Sequence, residues 1–130
     1  MDRQYHKGSW QSERSFSRAV ATRGGRTIWL AGHGGFAGAG GKTFGNDFAG
    51  QTRQAFANLG ETLAMAGGSL KDIVTMTVFI NDARHGNDFV EIRKEFFPDG
   101  NYPGSALITC AGFAHPQMMV EIQGVAVVED

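Results

Sequence analysis

Residues 72–82 read DIVTMTVFIND. The run is rich in β-branched side chains and is apolar on both of the faces that strand alternation would give it. Such a strand belongs in the middle of a sheet, with both faces covered. What can cover it lies on either side in the chain. DFAGQTRQAFANLGETLAMAGG (47–68) carries Phe48, Ala55, Phe56, Leu59, Leu63 and Ala66 on one helical stripe, and Gly67-Gly68 supplies a stop. NDFVEIRKEFF (87–97) places Phe89, Ile92 and Phe96 on one side of a second helix, which Pro98 ends. SFSRAVATR (15–23) and TIWLAGH (27–33) are predicted strands joined at Gly24-Gly25, a two-residue hairpin signal. GSALITCAGF (104–113) and MMVEIQGVAVV (118–128) are the predicted last strands, separated by a turn around AHPQ. The order is two strands, helix, strand, helix, two strands. It predicts a single domain over residues 1–130, an α/β (α+β) two-layer sandwich with one mixed sheet and both helices on one face. The second sheet face is left partly apolar, and such a face usually meets another subunit.

Composition narrows the function classes. The chain has 130 residues, 42% hydrophobic and 19% charged, with a net charge of -1. That balance suits one globular domain and offers no basic face for nucleic acid or for an anionic membrane. No apolar run approaches the ~20 residues that span a bilayer, and the N-terminal MDRQYHKGSWQSERS has no apolar segment of a secretory signal. A single cysteine excludes an internal disulfide and suits a reducing interior, so the expected setting is the cytoplasm.

GHGGFAGAGGKTFG (32–45) ends like a phosphate-binding P-loop. That motif needs a glycine five residues before Gly41, where Phe36 stands, and a helix opening on Lys42 and Thr43. Phe44, Gly45, Asn46 and Asp47 follow instead, so the stretch reads as a mobile connection between a strand and a later helix.

Glu121 is the first candidate for chemistry. It stands among Val120, Ile122, Val125, Val127 and Val128, where a carboxylate is costly unless it is paired, solvated at an edge or facing a cleft. Alternation puts Glu121, Gln123, Val125 and Val127 on one face. An edge-strand charge that blocks aggregation accounts for it equally well. Cys110, in LITCAGF, reads as a small buried core residue. His6, His33, His85 and His115 have no metal-ligand spacing, and no metal or cofactor is expected. His33 follows a strand end between glycines, where a backbone can approach a ligand. Ser105, in PGSAL, lacks the context of a hydrolase nucleophile.

In order and spacing these stretches resemble the RidA family, the reactive intermediate deaminases also called the YjgF family, along nearly the whole chain. SFSRAV is similar to the family's tyrosine-serine opening strand, and TIWLAGH to the strand ending in Ser-Gly-Gln. QTRQAFANLGETLAMAGGSLKDIVTMTVFIND is the most specific match. FVEIRKEFFPDGNYPGS and MMVEIQGVAV resemble the second helix and closing strand. The resemblance implies a chorismate-mutase-like fold assembled as a homotrimer, with clefts between subunits that bind small metabolites. It implies cofactor-free hydrolysis of enamines and imines to a ketone and ammonia, or, where catalysis is lost, metabolite binding alone. A translation-inhibiting ribonuclease, described for some members, gets little support from a chain with net charge -1. Glu121 matches the family glutamate that positions water, and Gly32 the glycine of Ser-Gly-Gln. Phe16 replaces the tyrosine, Ala31 the serine and His33 the glutamine. Ser105 stands where the family has the arginine that holds a substrate carboxylate. Phe16, Gly32, His33, Ser105 and Leu107 are thus the expected ligand-binding positions. The lost arginine and lost tyrosine hydroxyl predict a drier cleft, suited to a larger or less charged ligand.

Overall fold

The computed structural model describes all 130 residues. Six strands and two helices follow in the order β1 (Asp2–His6), β2 (Ala19–Arg23), β3 (Arg26–His33), α1 (Phe48–Met65), β4 (Ile73–Ile80), α2 (Gly86–Phe96), β5 (Gly104–Thr109) and β6 (Val120–Val128). The main sheet runs β3-β6-β4-β5, and β1 and β2 form a separate two-stranded sheet. β6 is antiparallel to both β3 and β4, whereas β5 is parallel to β4. A parallel neighbour needs a crossover, and α2 supplies it. The result is the expected mixed sheet and two helices.

Each helix forms where its stripe and its ends agree. The Asp47 side chain accepts from Gly50 N at 2.9 Å and caps α1. At the other end, Gly67 adopts φ 82° and Gly68 N donates to Leu63 O. Phe56, Leu59 and Leu63 of α1 and Phe89 of α2 are fully buried against Met76, Val78 and Ile80 of β4 and Val120, Ile122 and Ala126 of β6. Phe56 stacks on Phe96 with centroids 4.5 Å apart, which ties the two helices together.

Only that face of the sheet is covered. Thr75, Thr77 and Phe79 alternate with the core residues of β4 and stay partly or fully exposed, so the strand apolar on both sides is half clothed in one copy. Trp29 of β3 is 79% exposed and Ile108 of β5 is 42% exposed on the same side. They flank an open face that also carries Glu121, Gln123 and Val125.

The entry into the sheet differs from the expected hairpin. Gly24 and Gly25 both adopt φ 78°, as a tight two-residue turn requires. The strands they join nevertheless part: β2 pairs with β1, from Asp2↔Arg23 to His6↔Ala19, and β3 pairs with β6. β1 is an additional strand. Its sequence DRQYH has no apolar alternation, and it is anchored through Arg3, whose Nη2 donates to Asp72 Oδ1 and Val127 O, both at 2.6 Å.

The glycine-rich stretch is more ordered than a simple connection. Phe44 N donates to Phe36 O, Gly38 N donates to Lys42 O, and Ala37 bridges Thr43. Helix α1 opens at Phe48, five residues after Thr43, so Lys42 and Thr43 do not sit at a helix N-terminus as a P-loop demands. One residue pins this loop. Gln51, fully buried in α1, donates from Nε2 to Phe44 O (2.9 Å) and Gln117 O (3.0 Å) and accepts at Oε1 from Met119 N (2.8 Å). It joins the glycine-rich loop to the segment that leads into β6.

Candidate functional site

The expected site residues fall into two groups on different parts of the chain. The first is on the open sheet face. Glu121 lies in β6 opposite Phe79 of β4, half-buried, with no hydrogen bond or ion pair from any group of the protein. Gly32 of β3 lies beside it. A Cβ at position 32 would stand 2.9 Å from Glu121 Cδ and 3.0 Å from its Oε2, so the missing side chain is what lets the carboxylate lie there.

His33 does not join this group. The β3–β6 register shifts between Leu30 and His33, and His33 falls opposite the core residue Ile122. Its Nδ1 lies 2.7 Å from Ala31 O and its Nε2 2.8 Å from the Thr62 hydroxyl on α1. A carbonyl only accepts, so Nδ1 carries the proton, and the ring is turned toward the helix layer.

The second group lies at the far edge of the sheet. Phe16, Ser105 and Leu107 line a cleft of about 280 Å³ between the 3-10 turn Gln11–Arg14, α2 and β5. Trp10, Arg14, Val90 and Arg93 complete it. Phe16 packs edge-on against Trp10, with centroids 5.7 Å apart. Ser105 pairs with Met76 in the β4–β5 ladder, so it shares the helix-side face, opposite to the face of Glu121. One copy of the chain therefore does not bring Glu121 and Ser105 together.

Arg93 is the residue that sequence reasoning missed. It is 1% exposed, and it carries no carboxylate partner. Its Nε donates to Ser15 Oγ (3.0 Å), Nη1 to Ser105 Oγ (2.7 Å) and Nη2 to Arg14 O (3.2 Å). The Phe89 ring lies 5.0 Å from its Cζ. Burial first, and the charge of Arg14 second, push the guanidinium down to about 9. It is still cationic at neutral pH. The β5 position that lacks an arginine therefore has a guanidinium beside it, which α2 delivers to the Ser105 hydroxyl. The signal was in the sequence, because Phe89, Arg93 and Phe96 stand at i, i+4 and i+7 on the stripe that faces inward.

Cys110 is also corrected. It is half-exposed just beyond the end of β5, with Sγ 3.7 Å from Gly112 O, rather than a core residue. His115 and His85 stack on Phe36 and Phe48 at 4.6 and 4.4 Å. No three His, Cys, Asp or Glu side chains gather in a metal-binding arrangement, and no helix is long and apolar enough to cross a membrane.

The fold and these two groups define a class first: a two-layer α+β domain with one helix-covered sheet face and one open face bearing an unpaired carboxylate. The family described as Endoribonuclease L-PSP matches residues 7–128, and the chain belongs to that family, the RidA/YjgF proteins. A Yersinia pestis protein of unknown function from the conserved Rid family is similar at 26% identity and TM-score 0.86, over 98% of this chain and 100% of that one. A Mycobacterium tuberculosis member of the highly conserved YjgF family is 28% identical with TM-score 0.69, over 98% and 100%. Escherichia coli TdcF with bound serine is 25% identical with TM-score 0.72, over 88% of each chain.

Proposed function

We propose that this chain is a cofactor-free hydrolase of enamines and imines, working in the cytoplasm as a homotrimer whose site joins Gly32 and Glu121 of one copy to the Phe16, Ser105 and Leu107 cleft of another. The observation that carries the reading is the unpaired Glu121 carboxylate on the open sheet face, held over Gly32. A carboxylate left without a partner there is available to orient water. The exposed Trp29 and Ile108 on the same face support burial against a second copy. TdcF binds serine, and a relative that takes a small amino acid supports a small metabolite as ligand here.

The chemistry asks little of the protein. Glu121 accepts a proton from water as the oxygen attacks the imine carbon. The C=N bond becomes a C–N single bond, and the proton passes from Glu121 to nitrogen. Collapse of the carbinolamine then expels ammonia and leaves the ketone. An enamine enters the same path after protonation at its β-carbon. A positioned acid–base group contributes typically 10²- to 10⁴-fold, and a fixed substrate adds to it.

The test is to generate imino acids with an amino-acid oxidase and follow imine loss by semicarbazide trapping. Turnover should fall by roughly 10²-fold in Glu121→Gln, which keeps size and removes the proton acceptor. Normal turnover by that variant overturns the role of Glu121. Binding without turnover by the wild-type chain would make it a non-catalytic metabolite-binding member. Light scattering tests the assembly, and a monomeric mass at micromolar concentration refutes the trimer.

A further inference from the structure

Glu121 lies beside a glycine because β3 is irregular there. Leu30 pairs with Gly124 and His33 with Ile122, so Ala31 and Gly32 together face Gln123. Two residues against one make a β-bulge, which re-aims the side chains beyond it. Directly paired residues share a face of the sheet. A regular ladder continued from Leu30 would set His33 opposite Glu121, with the imidazole on the open face against the carboxylate. The bulge sets His33 opposite the core residue Ile122 instead and leaves Gly32 beside Glu121. One residue of slip decides whether the carboxylate is free or paired.

His33 itself holds the irregular form. Its Nδ1–H donates to Ala31 O, inside the bulge, at 2.7 Å, and the neutral Nε2 accepts from the Thr62 hydroxyl at 2.8 Å. The ring thereby ties the bulge to the last turn of α1. The residues that follow dock along the same helix. Gly34 O accepts from Asn58 Nδ2 at 2.9 Å, and Asn58 Oδ1 accepts from Gln54 Nε2 at 2.9 Å. A Cβ at position 35 would collide with Gln51 O and Ala55 N, so Gly35 lies against the helix backbone. Thr62, Asn58 and Ala55 stand at helical spacing, and the exit of β3 runs along that line of α1. The contact from His33 is the one that reaches back into the bulge.

We propose that His33 is a positioning residue: held between Ala31 O and Thr62, it fixes the bulge and so keeps the Glu121 carboxylate unpaired on the open face. The inference rests on the reading of Glu121 as the group that orients water. His33 acts through the backbone of Ala31 and Gly32, not on the reacting atoms. A histidine suits the task because one ring offers a donor on one edge and an acceptor on the other. The same ring would be the wrong neighbour for Glu121, since its N–H would pair with the carboxylate and occupy the acceptor that water needs.

Thr62→Val removes the hydroxyl and keeps the shape of the side chain. Wild type, Thr62→Val and Thr62→Ser are compared as full-length proteins by nuclear Overhauser contacts of the His33 ring. Their kcat and KM are measured on imines generated by an amino-acid oxidase. In wild type and Thr62→Ser the ring should contact position 62 of α1. In Thr62→Val those contacts should weaken, and contacts to the Glu121 methylenes should appear. There kcat should fall by roughly 5- to 10-fold, the worth of about one net hydrogen bond, with KM changed by less than about 2-fold. Thr62→Ser should keep the wild-type kcat.

His33→Leu removes both bonds from the other side. Added to Thr62→Val, it should lower kcat no further than it does alone, because the two side chains act as one contact. Additive losses overturn the proposal. A ring that is only a packing strut predicts a lower melting temperature with its contacts and kcat unchanged in Thr62→Val, and that pattern overturns it too. So does a ring that leaves α1 without affecting kcat. The two readings fail separately. If the protein hydrolyses no imine, ring contacts to Glu121 in Thr62→Val still support the positioning role, and their absence overturns it. If imines are hydrolysed and Thr62→Val behaves as wild type, the positioning role fails and the hydrolase reading stands.

Discussion

Gln51→Glu exchanges an amide for a carboxyl of the same size, at a fully buried position on α1. No cavity opens, so the change isolates hydrogen bonding and charge. One carboxyl oxygen keeps the bond from Met119 N. The other replaces Nε2 and faces two carbonyl oxygens, of Phe44 and Gln117, that stood 2.9 and 3.0 Å from a donor. Protonated, the new side chain donates to one of them and leaves the other unpaired, a loss of about 1 kcal/mol. Ionised, it opposes both carbonyls without water. Its folded pKa must therefore rise above the unfolded value of about 4.3. A rise of roughly 2 to 3 units adds about 3–4 kcal/mol at pH 7, at about 1.4 kcal/mol per unit. The total is about 4–5 kcal/mol at pH 7. The native state binds the extra proton more tightly, so the variant is closest to wild type below about pH 4.3 and loses ground as pH rises to the folded pKa. Urea unfolding of both proteins at matched pH values from about 4.5 to 7.5 measures the difference. A penalty independent of pH would refute the reasoning, because it would mean that water or loop movement had relieved the opposed oxygens. Since Gln51 also holds the segment leading into β6, turnover should fall with stability.

Gly32→Ala should displace the Glu121 carboxylate, whose flexible end rather than backbone would meet the new methyl, and lower imine turnover by about 10-fold with stability changed by less than about 1 kcal/mol. Normal turnover would show that the carboxylate does not act from that position. Trp29→Glu should yield monomers in light scattering, because it sets a charge where the exposed indole would be buried against a second copy, and an unchanged mass counts against that face as the interface. Asp82 is held down to about 2 by the hydrogen bonds from the Arg84 side chain and backbone. Its folded pKa is depressed, so what the pair contributes is present above the unfolded value and lost as pH falls toward about 2; a carboxyl ¹³C titration with an ordinary aspartate midpoint would overturn this.

Much of the molecule was legible because secondary structure leaves a local periodic record. The stripe from Phe48 to Leu63 and the run from Ile73 to Ile80 became α1 and β4 with ends shifted by a few residues. A carboxylate inside MMVEIQGVAVV singled out Glu121 by the same logic, since its neighbours declared the face it had to share. β1 left no such record. Its strand character comes from pairing with β2 and from the contacts of Arg3 with Asp72 and Val127, 69 and 124 residues away. Gly24-Gly25 announced a turn correctly, but a turn does not state which strands pair, and β2 and β3 take different partners.

The two halves of the site divide in the same way. The residue type at 105 showed what β5 lacks, and only the packing of α2 against β5 and the 3-10 turn showed that the Arg93 guanidinium lies against Ser105. Arg93 lies 12 residues from Ser105 and 78 from Ser15, and it meets both hydroxyls because three elements converge. A sequence specifies the face on which each side chain lies, through bond geometry that repeats every two or 3.6 residues. Which buried groups then confront one another depends on how those faces are brought together by the burial of apolar area, a force without direction and without memory of chain order.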